Sequence, residues 1–475
     1  MRITKLINWN IFFLILILFF PAIISSCKKN TAEHPNILII FADDLGIKDL
    51  GITGSTYYET PNIDKLAMEG MQFTNAYASA ANCAPSRACL MTGLQTPRHK
   101  IYTVANSDRG DTRTRRIIPV KNTTVLDTSF VTIAEELKKA SYVTGIIGKW
   151  HLGNDPRQQG FDYFIGGGFG SPRTYFSPYR MKNLPDGPEG EYLTDRLTEE
   201  AMQFIETNKE NRFFLFMSYH AVHTPLQCKE EIIEKYRNKP GSNGQNHAVY
   251  AAMIEVLDSN VGRLLHKLDD LDLTDNTLVI YTSDNGGIRS VSNQDPWRAG
   301  KGSYYEGGIR VPMFLKWPGV IDQNTFCDVP VTNMDFYPTL LDINHIDIVN
   351  DIPLDGLSLL PLISKNKDHD FADRELIWHF PIYLQAYNPQ EDDGRDPLFR
   401  TRPGMVMRKG KWKIHEYFED GGIELYDLAS DPGERQNLLG SNPEKADELY
   451  RIMKEWRDYI KAPVPKEPNP EFDPE

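Results

Sequence analysis

Apolar residues follow two rhythms along this chain. Continuous runs rich in β-branched and aromatic residues alternate with segments whose apolar positions recur at helical spacing. The first run, Pro35 to Ala42, is apolar at nearly every position and predicts a strand buried on both faces. Tyr142 to Ile147, Phe213 to Tyr219 and Thr277 to Thr282 repeat that texture. Helical spacing falls at Ile63 to Gly70, Thr132 to Ala140, Thr194 to Thr207 and Tyr250 to Leu268. This alternation predicts an α/β fold, a mostly parallel sheet flanked by helices.

Beyond about residue 360 the pattern changes. Ser364 to Asp368 is charged and polar, and shorter strand-like pieces follow at Glu375 to Phe380, Gly404 to Arg408, Trp412 to Tyr417 and Glu424 to Asp427. An amphipathic helix over Pro443 to Tyr459 closes the series. The expected organisation is a catalytic domain over 34–365 and a smaller C-terminal α+β domain over 370–462, an antiparallel sheet with one helix. The Pro- and acid-rich tail, 463–475, is expected to be extended or disordered. No internal repeat interrupts this plan.

The N-terminus has a separate logic. Arg2 and Lys5 precede the apolar run Ile11 to Phe20, which is too short for a comfortable membrane span and is followed by Pro21. Residues 1–27 are therefore expected to be an export signal. Ile24-Ser25-Ser26-Cys27 resembles a bacterial lipobox, so Cys27 is expected to carry lipid and to tether the chain to an envelope membrane, as a periplasmic or outer-membrane lipoprotein.

Composition narrows the function. The 475 residues carry a formal net charge of −13, which argues against nucleic acid as a partner. An anionic substrate would need a local cationic pocket within this acidic chain. Of the five cysteines, Cys27 and Cys83 have expected roles; Cys89, Cys228 and Cys327 can form at most one disulfide, so the fold must rest on its core.

Candidate chemistry collects at the ends of the apolar runs. Asp43-Asp44 follows the first and Asp284-Asn285 follows the last, and in open α/β sheets ligands sit beyond the carboxyl ends of strands. The four side chains are expected to converge as an all-oxygen set, which suits calcium first, magnesium second, and disfavours zinc. Cys83-Ala84-Pro85-Ser86-Arg87 reads as a nucleophile at a turn entering a helix, with Arg87 favouring a thiolate. Lys149 and His151, two apart on an extended segment, would face the same way and suit oxyanion binding and proton transfer. His223 sits before Thr224-Pro225 in a loop, whereas His220 reads as a packed histidine. In the glycine-rich segment Gly300 to Pro312, Lys301 is the residue expected in the site, while Glu306 and Arg310 pair to hold the loop. Arg109 to Arg116 reads as a solvated loop, and Gly166 to Gly170 as backbone without assigned chemistry. No Gly-x-Ser-x-Gly, His-Glu-x-x-His or dinucleotide fingerprint is present.

Together these blocks closely resemble the formylglycine-dependent type I sulfatases of the alkaline phosphatase superfamily. The resemblance is carried, in chain order, by Asp43-Asp44, Cys83-Ala84-Pro85-Ser86-Arg87 with Leu90-Met91-Thr92-Gly93, Gly148-Lys149-Trp150-His151, His223-Thr224-Pro225, Ser283 to Gly287, and Lys301 with Glu306 to Pro312. It spans roughly residues 34 to 460. It implies an alkaline phosphatase-like fold and conversion of Cys83 to formylglycine (3-oxoalanine) by a formylglycine-generating or anaerobic sulfatase-maturating enzyme. The hydrated aldehyde would attack sulfur, release the alcohol, and expel sulfate by collapsing back to the aldehyde. The cation held by Asp43, Asp44, Asp284 and Asn285, with residue 83 itself, would polarise the sulfate. Arg87 would hold the diol; Lys149, Lys301 and His223 would neutralise the sulfate, His223 or Lys301 protonating the leaving oxygen; His151 would be the base of the eliminating step.

With a bacterial envelope location, the resemblance implies sulfated glycans as substrates, with Trp378, His379 and Arg402 as pocket candidates. Two alternatives remain at this point. A phosphomonoesterase or phosphodiesterase of the same superfamily would share the carboxylates but normally uses serine or threonine as nucleophile. A non-catalytic glycan-binding lipoprotein would not need the full set of charged residues.

Overall fold

The computed structural model describes residues 34–473 apart from 154, 169, 348–352, 365–370 and 372–373. The expected export signal and lipobox, and most of the polar segment at 364–368, lie outside the described residues.

The Asn36–Ala42 strand is wholly buried near the middle of an eight-stranded sheet. Across that sheet the order is Tyr163–Ile165, Val143–Gly148, Phe213–Ser218, Asn36–Ala42, Thr277–Ser283, Met313–Lys316, Met71–Phe73 and Thr325–Cys327. Only Met313–Lys316 runs against its neighbours. Because side chains alternate across a strand, each central strand divides between two cores. Leu38, Ile40, Leu215, Met217 and Tyr281 pack with the helices Leu193–Thr207 and Ala248–Asp270. Ile37, Ile39, Phe41, Phe214, Phe216 and Ile280 pack with Cys83–Thr92, Ile133–Lys139 and Phe336–Ile343. Burial on both faces is why these strands read as continuous apolar runs.

The second sheet is antiparallel, in the order Glu375–Phe380, Gly404–Lys409, Trp412–Tyr417 and Ile423–Asp427. One face takes the helix Pro443–Tyr459 through Ala446, Leu449 and Met453. Its other face sends Leu376, Trp378, Phe380 and Val406 against Tyr77, Tyr102, Tyr304 and Ile309. Residues from 33 onward form one compact unit.

This packing corrects two expected pocket residues. Trp378 is 1% exposed and donates its indole N–H to the Ala78 carbonyl, and His379 bonds the Pro463 carbonyl from within the core. Neither can reach a substrate without unpacking the seam. Arg402 is bound by Asp396 and Glu419. The tail is extended and pinned: Ile118 donates to the Glu467 carbonyl, and the Asn469 amide donates to the Thr112 and Arg115 carbonyls. It covers the loop that carries Arg113 and Arg116, both exposed.

Candidate active site at the carboxyl ends of the central strands

Strand register assembles the site. Ala42 lies opposite Ser283, Phe41 opposite Ser218, and Gly148 opposite Ser218. Four adjacent strands therefore end at one level and deliver Asp43-Asp44, Asp284-Asn285, Lys149 to His151 and His220 to His223 to the same edge. This is the position at which open α/β sheets bind ligands.

The connecting backbone is not a simple strand extension. Asp44 and His151 both have positive φ, 62° and 63°. Gly148, at φ 97°, turns so tightly that a Cβ there would lie 1.9 Å from the Ser218 carbonyl oxygen. Lys149 and His151 thus reach the site through a turn; the strand alternation expected to align them ends at Gly148.

Cys83 is the first residue of a helix, Cys83–Thr92, in which all ten residues are buried. The helix begins two residues before the expected Pro85-Ser86 turn, because proline fits the first turn, where no N–H partner is needed. The sulfur lies 3.4 Å from Asp43 Oδ1 and 3.8 Å from Asp44 Oδ1. Arg87, one turn along on the same side, does not bond the sulfur. Its guanidinium donates to Asp284 Oδ2 at 2.9 Å, the Lys149 carbonyl at 3.0 Å and Ser218 Oγ at 2.5 Å. Burial and the Asp284 carboxylate push the Cys83 thiol well above its ordinary pKa. The expected thiolate is therefore not what this pocket favours, for an unmodified cysteine here stays protonated.

The charges around Cys83 interlock. Lys149 Nζ contacts Asp43 Oδ2 at 2.5 Å and Lys301 Nζ contacts Asp44 Oδ2 at 2.6 Å. His223 Nε2 lies 3.4 Å from Asp44 Oδ2. Asn285 Nδ2 donates to Asp44 Oδ1 at 2.9 Å, and the Asp44 amide donates to Asp284 Oδ1 at 3.1 Å. Burial alone would raise the Asp43 carboxyl, but Lys149, His223, Arg87 and Lys301 outweigh it and hold it well below the usual range. Asp284 goes the other way, to about 7, through burial and the neighbouring Asp43 charge. Burial, with Lys149 and Arg87 beside it, keeps His151 neutral.

Metal-ligand chemistry fits this set. Asp43, Asp44, Cys83 and His223 present donor atoms within 4.8 Å of one another. Asn285 Oδ1, at the same edge, is buried with no protein partner. A buried carbonyl oxygen left without a donor costs about 1–3 kcal/mol, and a cation beside the carboxylates would satisfy it.

Lys301 arrives from a glycine-rich loop packed backbone to backbone against Asn285-Gly286; a Cβ on Gly286 would lie 2.0 Å from the Gly307 carbonyl oxygen. Glu306 and Arg310 pair at 3.2 Å within that loop. His220 is buried, with Nε2 on the Gly166 carbonyl at 3.0 Å, and burial lowers its pKa to about 4.

Several neighbours were not singled out in the sequence. Ser218 ends the run Phe213 to Met217 just as Ser283 ends its own strand, and that parallel was a usable signal. Arg400 donates to the Lys301 carbonyl at 2.9 Å from a distant strand, with no local signal at all. Within the Gly166 to Gly170 segment, Gly168 does have work, its carbonyl accepting from the His151 amide, and just beyond the segment Ser171 Oγ lies 2.8 Å from His223 Nδ1.

Known proteins share this layout. The family profile described as Sulfatase matches residues 35–346, and one described as N-sulphoglucosamine sulphohydrolase, C-terminal, matches residues 299–460. A protein named Sulfatase from Formosa agariphila is 32% identical, over 88% of this chain and 87% of its own. An N-acetylgalactosamine-6-O-sulfatase from Bacteroides thetaiotaomicron is 28% identical, over 91% and 96%. The solved structure of Ps i-CgsB in complex with k-i-k-neocarrahexaose superposes with a TM-score of 0.72 at 31% identity, covering 89% of this chain and 92% of that one. A metal ion and a formylglycine made from cysteine are general features of this family, and the chain, a sulfuric ester hydrolase, belongs to the sulfatase family.

Proposed function

We propose that the enzyme removes sulfate esters from glycans, using formylglycine at position 83 and a calcium ion. The observation that carries this reading is the convergence of four strand ends on Cys83, where three carboxylates and a buried, unpartnered Asn285 oxygen face two lysines and two histidines. The sulfatase relatives named for sulfated sugars support the substrate class.

Asp43, Asp44, Asp284 and Asn285 would hold the cation. Calcium suits an all-oxygen set that need not be octahedral. When bound, the ion polarises sulfate oxygens and favours the ionised nucleophile. Matured and hydrated, residue 83 supplies the attacking hydroxyl and later releases sulfate by collapsing to the aldehyde.

The remaining steps belong to the chain's own residues. Lys149 and Lys301, buried and held charged by Asp43 and Asp44, supply positive charge where the sulfate oxygens sit. His223, bonded to Ser171 at the open side, is placed to protonate the leaving oxygen. His151, neutral with Nδ1 unpartnered, is placed to take the proton in the eliminating step. Arg87, fixed by three acceptors, orients residue 83 and neutralises Asp284.

Maturation requires a partner enzyme that oxidises Cys83. The signal-like residues 1–27 support export and lipid attachment at Cys27 in a bacterial envelope. Mass spectrometry of the Cys83 peptide, after co-expression with a maturating enzyme, tests the mechanism. An aldehyde or its hydrate in active protein is expected, and a plain thiol in active protein would refute it. A panel of defined sulfated saccharides against aryl sulfate tests the substrate class; turnover of aryl sulfate alone would remove glycans. Acyl labelling lost in Cys27→Ala tests the anchor.

A further inference from the structure

The cavity beside the catalytic residues is cationic and only partly partnered. It encloses about 540 Å³ and is lined in part by Trp150, Ser171, Arg173, Arg180, Lys182 and His220. It adjoins the site through shared residues. Trp150 lies between Lys149 and His151, and Ser171 bonds His223.

Two features give the cavity a preference. Arg173, Arg180 and Lys182 are exposed, and none forms an ion pair among the described residues. Arg157, on the same wall, is already paired with Asp155. Most arginines among the described residues have a carboxylate partner, so unpaired cations gathered around one concavity favour an anion. The wall also carries uncharged surface. Phe164, half-buried, and Ser171, exposed, line the cavity with an apolar face and a hydroxyl. Such surface suits a sugar ring, which offers hydroxyls and an apolar face.

We propose that this cavity is a subsite for a saccharide unit neighbouring the cleaved sulfate, and that Arg173, Arg180 and Lys182 read a second anionic group, sulfate or carboxylate, on that unit. The inference rests on the glycan reading above and sharpens it: the preferred substrate is a polyanionic glycan rather than a singly sulfated sugar.

The test compares kcat/KM for two disaccharides sulfated at the same position, one carrying a second sulfate or carboxylate on the adjoining unit. The matured full-length enzyme should prefer the doubly charged substrate, and rising salt should compress the preference. In the Arg173→Ala, Arg180→Ala double variant, the ratio of the two kcat/KM values should fall by ~10-fold, the effect of about 1.4 kcal/mol shared between two partly exposed charge contacts. The Arg173→Lys, Arg180→Lys variant should keep most of the preference, since charge rather than fork geometry is what the inference needs. An unchanged ratio, or equal losses on both disaccharides, would overturn the subsite. Turnover of aryl sulfate with neither disaccharide accepted would instead overturn the glycan reading beneath it.

Discussion

Among the described residues, two clusters of buried charge are built on opposite terms. The cluster under the C-terminal sheet is closed: Lys413, Glu306 and Glu434 are all fully buried. Lys413 Nζ contacts Glu306 Oε1 and Glu434 Oε1, each at 2.9 Å. Tyr77 and Arg310 take Glu306 Oε2, the Glu306 amide takes Glu434 Oε2 at 2.6 Å, and His415 also meets Glu434 Oε1. Every carboxylate oxygen has a donor. The Cys83 cluster crowds three aspartates instead, pulls Asp43 and Asp284 apart in acidity, and leaves Asn285 Oδ1 and His151 Nδ1 without partners. Buried charge alone therefore marks neither function nor stability. Like charges pressed together and buried polar atoms left without partners set the Cys83 cluster apart, because they cost stability that a bound ligand would restore.

The contrast can be broken most directly at Cys83. Cys83→Ala should lower kcat by at least ~10³-fold, as loss of a nucleophile does, while the melting temperature holds or rises. A large loss of stability would show that the cysteine also supports the fold.

Breaking the closed cluster should do the reverse. Lys413→Ala leaves Glu306 and Glu434 buried without their shared cation and should cost about 3–5 kcal/mol in denaturant unfolding. The surviving folded enzyme should keep most of its turnover. If stability is unchanged, the cluster is not the closed unit its bonds describe.

Calcium should sharpen the difference from the other side. At about a hundredfold excess over its dissociation constant it should stabilise the matured enzyme by about 2.7 kcal/mol, seen as a rise in melting temperature that Asn285→Ala largely removes. A rise of equal size in that variant would place the ion elsewhere.

Acid should erode the closed cluster gradually. Burial would raise Glu306, but Lys413, Arg310 and Arg408 outweigh it and hold its carboxyl at about 2, below the ordinary 4.5. A depressed carboxyl stabilises the fold fully above 4.5 and loses that contribution as pH falls toward 2. Melting temperature should therefore decline more steeply below pH 4.5 in wild type than in Glu306→Gln; equal slopes would contradict the depression. The smallest effect is expected at the tail, where Asn469→Ala should cost about 1 kcal/mol through its two carbonyl bonds, measured in the same unfolding assay.

The sequence alone determined the layers and much of the site's composition. Strands buried on both faces must be apolar throughout, so Asn36–Ala42 and Thr277–Ser283 were visible, as were the acids that end them. Ordered blocks around Cys83 sufficed to indicate the family, since spaced chemistry leaves a local trace. Tertiary structure decided what depends on partners distant along the chain. The register of four parallel strands brings Asp43, Asp284, Lys149 and His223 to one edge. A glycine turn, which alternation could not foresee, aims Lys149 and His151. Trp378 became core because its face of the antiparallel sheet packs on Tyr77 and Ile309, His379 because Phe418 and the Pro463 carbonyl close over the other face, and Gly168 and Ser171 became site because folding laid them beside His151 and His223. Whether a polar side chain is spent in the core or left open to a ligand depends on which hydrogen-bond partners the fold brings within reach, and those partners are rarely its neighbours in sequence.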